Sequence, residues 1–162
     1  MTRRQLLAAA PAALWAGSPR NVRLGAPVFL KTTDPAELAR EHQRLGYRAA
    51  YVPGFANLEN ASAVEAAYQA AGVMIAEVGA WKNMLDPDAA ARKANLAYVT
   101  ERMALAEAVG ARCCVDIAGS FHPKVWYAPH KDNLGAAFFD ATVENCRKVI
   151  DAVKPKRAKF SL

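Results

Sequence analysis

Glu77 is the residue of this chain that most demands a chemical explanation. It stands inside Val73–Trp81, VMIAEVGAW, an apolar run too short to cross a membrane and too poor in polar residues for a surface helix. A buried parallel strand is the reading that remains. An unpaired carboxylate there costs several kcal/mol, so Glu77 needs either a partner or a rim where solvent or ligand reaches it. Asp116 poses the same question in a second apolar run, Ala111–Ser120, ARCCVDIAGS. Period-two alternation puts Val73, Ile75, Glu77 and Gly79 on one face of the first run, and Cys114, Asp116 and Ala118 on one face of the second. If those faces turn inward together, the two carboxylates sit close near the strand ends. Such a pair suits proton transfer, or metal and hydroxyl binding, because repulsion and burial raise one of the two pKa values. The alternative is that Glu77 and Asp116 hydrogen-bond loop amides or a basic residue such as Lys82, and so shape the rim.

Behind Asp116 comes a polar and aromatic loop, Phe121–Asn133, with Ser120 at its entrance and His122, Trp126, Tyr127 and His130 along it. Aromatic faces beside amides, carboxylates and imidazoles are how a site grips a sugar: ring faces against aromatics, hydroxyls against polar side chains. The two histidines lack metal-ligand spacing. Trp81 is the other aromatic at a strand end, with core packing as its alternative role. The candidate site is therefore Glu77 as the catalytic group, with Trp81, Asp116, Ser120, His122, Trp126, His130 and Asn133 as substrate contacts and no metal ligand. His42 is mid-helix and reads as a solvated or packing residue. Cys113, Cys114 and Cys146 are odd in number, and neighbours on a strand face opposite ways, so they read as small buried hydrophobes.

The elements that position these residues repeat. Asp34-Pro35-Ala36-Glu37 carries an N-cap, a first-turn proline and a capping-box glutamate. Ser62-Ala63-Val64-Glu65 reads as a second capping box, and Asp86-Pro87 as the cap of a long helix through Val109. A fourth helix spans about Leu134 to Val153, stopped by Pro155. The first three helices end at Gly46, Gly72 and Gly110, each followed directly by a strand: Tyr47–Val52, Val73–Trp81 and Ala111–Ser120. Asn21–Leu30 precedes them as a first strand, and Lys156–Leu162 begins a fifth. Strict alternation with crossover-length connections means a parallel sheet. The first strand-to-helix turn, Leu30–Asp34, has no glycine-rich phosphate loop, which counts against a dinucleotide-binding open sheet. The other architecture that fits is part of an eight-stranded βα barrel, a partial TIM barrel of about four and a half units, and in either architecture ligands gather at the carboxyl ends of the strands.

Composition bounds the function. With 53% hydrophobic and 22% charged residues over 162 positions, this is ordinary globular material for one core. The formal charge of +6 falls to +4 without Arg3 and Arg4, and no basic residues cluster along a helix face, so nucleic acid is not an expected partner. Residues 1–20, opening MTRRQLLAAAPAALWAG, have the basic start and apolar stretch of a signal segment of the twin-arginine kind, used for proteins exported already folded. This makes a periplasmic or extracellular location the expectation, or a cytoplasmic one if the segment is no signal. No further segment is long enough to span a membrane, so no membrane partner is expected beyond export.

GYRAAYVP (Gly46–Pro53), IAEVGAW (Ile75–Trp81), DIAGS (Asp116–Ser120), APHKDNL (Ala128–Leu134) and IDAVKPKRAKFSL (Ile150–Leu162) together resemble the sugar phosphate isomerase/epimerase superfamily, the xylose isomerase-like TIM barrels. The likeness covers residues 21–162 as the amino-terminal half of such a barrel. It implies a divalent-metal enzyme, using Mn, Mg, Co or Zn, that moves a proton between neighbouring carbons of a sugar or polyol through an enediolate. It also implies that the metal ligands come from strands five to eight, the first one residue past Leu162, so that this chain alone binds no metal and lacks the activity. A noncatalytic sugar-binding or structural half that pairs with another chain is the competing expectation, and open strand edges imply self-association. The related endonuclease IV group is a weaker match, because its three-zinc cluster uses histidines at early strand ends, where this chain has Pro53-Gly54 and Gly79-Ala80-Trp81.

Overall fold

The computed structural model describes residues 22–162, so the signal segment expected over residues 1–20 lies outside the described residues. Helices and strands alternate: α1 (Pro35–Arg44), β1 (Ala49–Tyr51), α2 (Ala61–Ala70), β2 (Met74–Gly79), α3 (Ala89–Ala108), β3 (Cys113–Val115), α4 (Ala136–Val153) and β4 (Lys159–Ser161). The four strands form one sheet in the order β1-β2-β3-β4, and every pair is parallel. This is the βα repeat expected from the glycine-terminated helices.

The expected first strand, Asn21–Leu30, shrinks to one parallel bridge between Gly25 and Ala49. Leu24 accepts from the Arg48 and Ala49 amides at 2.8 and 3.2 Å, and there the pairing stops. Gly25 passes so near Ala49 that a Cβ would stand 2.6 Å from its carbonyl oxygen, and Pro27 has no N–H to extend the ladder. The helix starts also differ from sequence expectation. Asp34 caps α1 as expected, accepting from the Ala36 amide at 2.8 Å, but its own amide is taken by Thr32 Oγ1 rather than by Glu37. α2 begins after Asn60 rather than Ser62, and Glu65 is drawn away to Arg157 and Gln69. α3 is capped by Asp88, which accepts from Ala91 at 2.7 Å, while Asp86 takes the Asp88 amide.

Sheet and helices share one core. Leu38 of α1, Val64 and Tyr68 of α2, Val99, Met103 and Ala106 of α3 and Val149 of α4 pack with Ala50, Ile75, Val78 and Cys114. His42 belongs to this layer: it is buried, with Nδ1 2.8 Å from the Leu38 carbonyl and its ring 5.7 Å from that of Tyr68.

Two successive strand residues break the alternation that the sequence implies. Ala50 pairs with Ile75, but the next residue, Tyr51, pairs with Glu77, leaving Ala76 as an extra residue on β2. Val73 and Ile75 therefore lie in the helix-facing core, as do Val78 and Ala80. Glu77 and Gly79 fall on the opposite face, away from the helices. Register then carries that face across the sheet as one row: Tyr51, Glu77, Cys113 and Lys159.

Candidate functional site

The bulge at Ala76 decides where Glu77 points. Its partner in register is Cys113, which is half-buried, whereas the next pair, Val78 and Cys114, is fully buried under the helices. Glu77 thus stands on the open face, bordering a hollow of about 210 Å³ with Gly25, Ala49 and Tyr51. Partial burial pushes its carboxyl above the ordinary glutamate range. Burial, with the Glu77 charge behind it, raises the Cys113 thiol as well, and that thiol donates to the Ala76 carbonyl at 3.4 Å. A larger hollow of about 390 Å³ opens beside Glu65, Gln69 and Arg112, and none of the candidate catalytic or substrate-contact residues lines it.

Trp81 is half-exposed, and its indole folds back onto Gly79, two residues beyond Glu77 and on the same face. A Cβ at Gly79 would stand 2.8 Å from Cδ1 and 3.1 Å from Cε2 of the indole, and nearer still to Nε1. To lie there Trp81 takes φ = 53°, a left-handed conformation that costs a non-glycine residue about 1 kcal/mol or more. The surrounding turn is fastened on both sides. Arg102 Nε donates to the Gly79 carbonyl at 3.1 Å, the Ala80 amide donates to Val115 at 2.8 Å, and Lys82 Nζ lies 5.1 Å from the centre of the Tyr98 ring.

Asp116 is not beside Glu77. It follows Cys114 by two residues, so it shares the helix-facing side, where it is buried with 2% of its surface exposed. Its Oδ1 accepts from the Lys82 amide at 2.8 Å, and Oδ2 is buried without a partner. Burial pushes this carboxyl upward, against the opposing pull of the Lys82, Ile117 and Trp81 amides. Among the described residues no hydrogen bond or ion pair joins Glu77 to Asp116, so the expected carboxylate pair is corrected to two separate groups on opposite faces. The loop-amide alternative describes Asp116.

The loop after β3 is held by the residues read as its sugar contacts. Ser120 is buried; its Oγ donates to the Ala128 carbonyl at 2.7 Å and accepts from the His122 amide at 3.0 Å and from Asn133 Nδ2 at 3.0 Å. Asn133 Oδ1 accepts from the Phe121 amide at 3.1 Å. His122 Nδ1 accepts from the Lys124 and Val125 amides, and His130 Nδ1 from that of Asp132, so both rings cap turns through the same nitrogen. Trp126 meets Tyr127 edge-on at 4.9 Å, and both are exposed. Ser120, His122, His130 and Asn133 are thus brought together in one loop, while Glu77 and Trp81 form a separate group on the sheet.

Asn83 joins the two regions, and no motif in the sequence singles it out. It is buried, its Nδ2 donates to the Ser120 carbonyl at 2.7 Å, and its Oδ1 accepts from Leu85 and Ser120 at 3.0 Å each. Sequence reasoning also misses Tyr51 and Cys113 as the register neighbours of Glu77, because the bulge that sets their register carries no sequence signal. Among the described residues no three His, Cys, Asp or Glu side chains gather in a group that could hold a metal ion, so these residues do not make such a site.

No protein-family model matches the sequence, and no curated protein matches it. Solved structures do. The chain superposes on 3-keto-D-glucoside 4-epimerase from E. coli with a TM-score of 0.61 at 14% identity, covering 85% of this chain and 54% of that one. D-psicose 3-epimerase, solved in the presence of D-fructose, matches at TM-score 0.54 and 16% identity over 74% of this chain and 43% of that one. Endonuclease IV from Thermus thermophilus matches at TM-score 0.55 and 14% identity, over 86% and 51%. The chain spans about half the length of the structures it matches. At these identities the likeness is one of fold.

Proposed function

We propose that this chain, whose fold is that of the xylose isomerase-like TIM barrels over about half their length, supplies the sugar-contacting rim of an isomerase or epimerase. The observation that carries the reading is the bulge at Ala76, which turns Glu77 to the open face beside an indole folded back onto Gly79. A carboxylate of raised pKa is a better base than an exposed one, and it suits removal of a proton from the carbon next to a sugar carbonyl. The electron pair of the broken C–H bond passes into an enediolate, and the proton is returned to that carbon or its neighbour. Trp81 supplies the apolar platform for the ring face. The resemblance also implies a divalent metal, Mn, Mg, Co or Zn, which would polarise the carbonyl. The described residues do not form its site, and the roles given to Glu77 and Trp81 do not require it to be held by them.

Sugar epimerases and endonuclease IV share this fold, and the strand ends favour the sugar enzymes. β1 leads into Pro53-Gly54 and β2 into Gly79-Ala80-Trp81, with no histidine at either. Export directed by residues 1–20, and self-association along β4, which among the described residues pairs only with β3, are part of the same proposal.

The test is titration of the chain with D-fructose while the Trp81 signal is followed, assigned with Trp81→Phe. The expected result is saturable binding with a Kd of about 1–10 mM, unchanged within threefold in Glu77→Gln, which leaves the platform intact. A Trp81 signal unmoved at about 100 mM sugar would refute the reading.

A further inference from the structure

The sequence marks Asp116 as a substrate contact, but its place under the helices denies it that role. Its carboxylate reaches the other side of the sheet only through the backbone of the β2–α3 turn. The Lys82 amide that it holds at 2.8 Å belongs to the peptide immediately following Trp81, the residue with φ = 53°. A left-handed tryptophan is uphill on its own, and a buried, charge-assisted bond on the next amide is the kind of anchor that keeps it there.

The other fastenings of the turn act elsewhere. Arg102 and Val115 hold Gly79 and Ala80, before the strained residue, and Tyr98 meets only the far end of the Lys82 side chain. The Asp116 carboxylate is fixed by its own burial: 2% exposed and two residues beyond Cys114, which is fully enclosed. Nothing about this arrangement improves the core, since Oδ2 remains buried without a partner. A carboxylate kept at such a cost has an effect to be found elsewhere.

From this geometry we infer that Asp116 is a positioning residue, which locks the Trp81–Lys82 turn so that the indole lies on Gly79 and presents its face beside Glu77. The inference rests on the sugar-rim reading for its functional consequence, though not for the lock itself. Substrate preference follows from it: an indole fixed by the main chain favours sugars presenting a flat apolar face of ring hydrogens over open-chain polyols.

The experiment uses the full chain labelled with 5-fluorotryptophan, with the Trp81 fluorine resonance assigned by Trp81→Phe. In Asp116→Ala that resonance shifts and broadens while that of Trp126 stays in place, and D-fructose affinity falls about fivefold or more. Asp116→Asn, which retains an oxygen for the Lys82 amide, restores both to near the wild-type values. In the unmodified chain the Lys82 amide proton exchanges slowly and resonates downfield. An unmoved Trp81 resonance in a folded Asp116→Ala chain overturns the inference. So does a Lys82 amide that exchanges at the free-peptide rate, a measurement that needs no variant. If the resonance shifts in Asp116→Ala but neither chain responds to D-fructose, the lock stands and the sugar reading fails. If both bind D-fructose equally despite the shift, Asp116 positions Trp81 without serving the site.

Discussion

Replacing Gly79 by alanine displaces the Trp81 indole without touching any group that bonds to it. Gly79 lies in β2 with extended backbone, so alanine suits the main chain, and the loss of a flexible residue from the unfolded state favours folding by about 0.4–1 kcal/mol. The added Cβ would lie 2.8 Å from Cδ1 and 3.1 Å from Cε2, so the indole must withdraw by about 1 Å to regain ordinary carbon contacts near 3.5–4 Å. Trp81 is already 51% exposed, and the packing it gives up is of the same order as the backbone gain. Net stability should therefore stay within about 1 kcal/mol of wild type, while the platform for a sugar is lost. A sugar face covering about 50 Å² of indole contributes about 1.2 kcal/mol, so its removal weakens binding roughly eightfold. Urea unfolding gives the first quantity, and D-fructose titration of the Trp81 signal gives the second. A Gly79→Ala chain that binds sugar as wild type does, with the Trp81 emission shifted, would show that the indole is not a platform.

Glu77→Gln tests the open-face carboxylate through pH. The folded-state carboxyl lies above the ordinary value of 4.5, so the native chain holds its proton more firmly than the unfolded chain does. Wild-type stability then falls as pH rises from the unfolded value through the folded one, and stays lower above it. Glu77→Gln removes that decline, so its urea midpoint should gain on wild type between pH 4 and pH 7; a constant difference counts against the burial of Glu77. Met103→Ala empties the shared core at a fully buried side chain and should cost about 2–5 kcal/mol in urea unfolding, whereas a cost under about 1 kcal/mol would mean that α3 does not pack as described. Burial pushes the Cys114 thiol up to about 12 and raises those of Cys113 and Cys146 as well. All three should react slowly with a disulfide reagent at pH 8 in the native chain and rapidly in urea; a fast native equivalent would mark one of them as exposed.

The repeat of helix, glycine and strand is legible because each of its signals is local. Asp34 before Pro35 caps a helix whatever lies around it, and the residues after Gly46, Gly72 and Gly110 have nowhere to go but into strands. Pairing is not local, and there the alternation rule fails. Nothing in VMIAEVGAW announces that Ala76 is surplus to the ladder, so strict alternation places Glu77 with Ile75 when it belongs with Cys113. Asn21–Leu30 has strand composition, but a close approach at Gly25 and the missing donor of Pro27 confine it to one bridge. Asp116 looks like a rim carboxylate because the small residues Ala118, Gly119 and Ser120 follow closely behind it at the end of the strand. Its burial depends on α4 closing over that side of the sheet, which a sequence pattern cannot show. Ser120, His122, His130 and Asn133 emerge as a group because they are near in sequence, and the structure uses much of their hydrogen-bonding capacity on the loop itself.

The surplus alanine in β2 makes this strand unusually forgiving of one change in length. Most side-chain changes at position 76 would leave the neighbouring residues facing as they do now. Losing that one codon would leave an unbroken ladder, with the acid still on the open face and the following valine still in the oily layer. A deletion that would scramble an ordinary strand is therefore one that this segment can absorb.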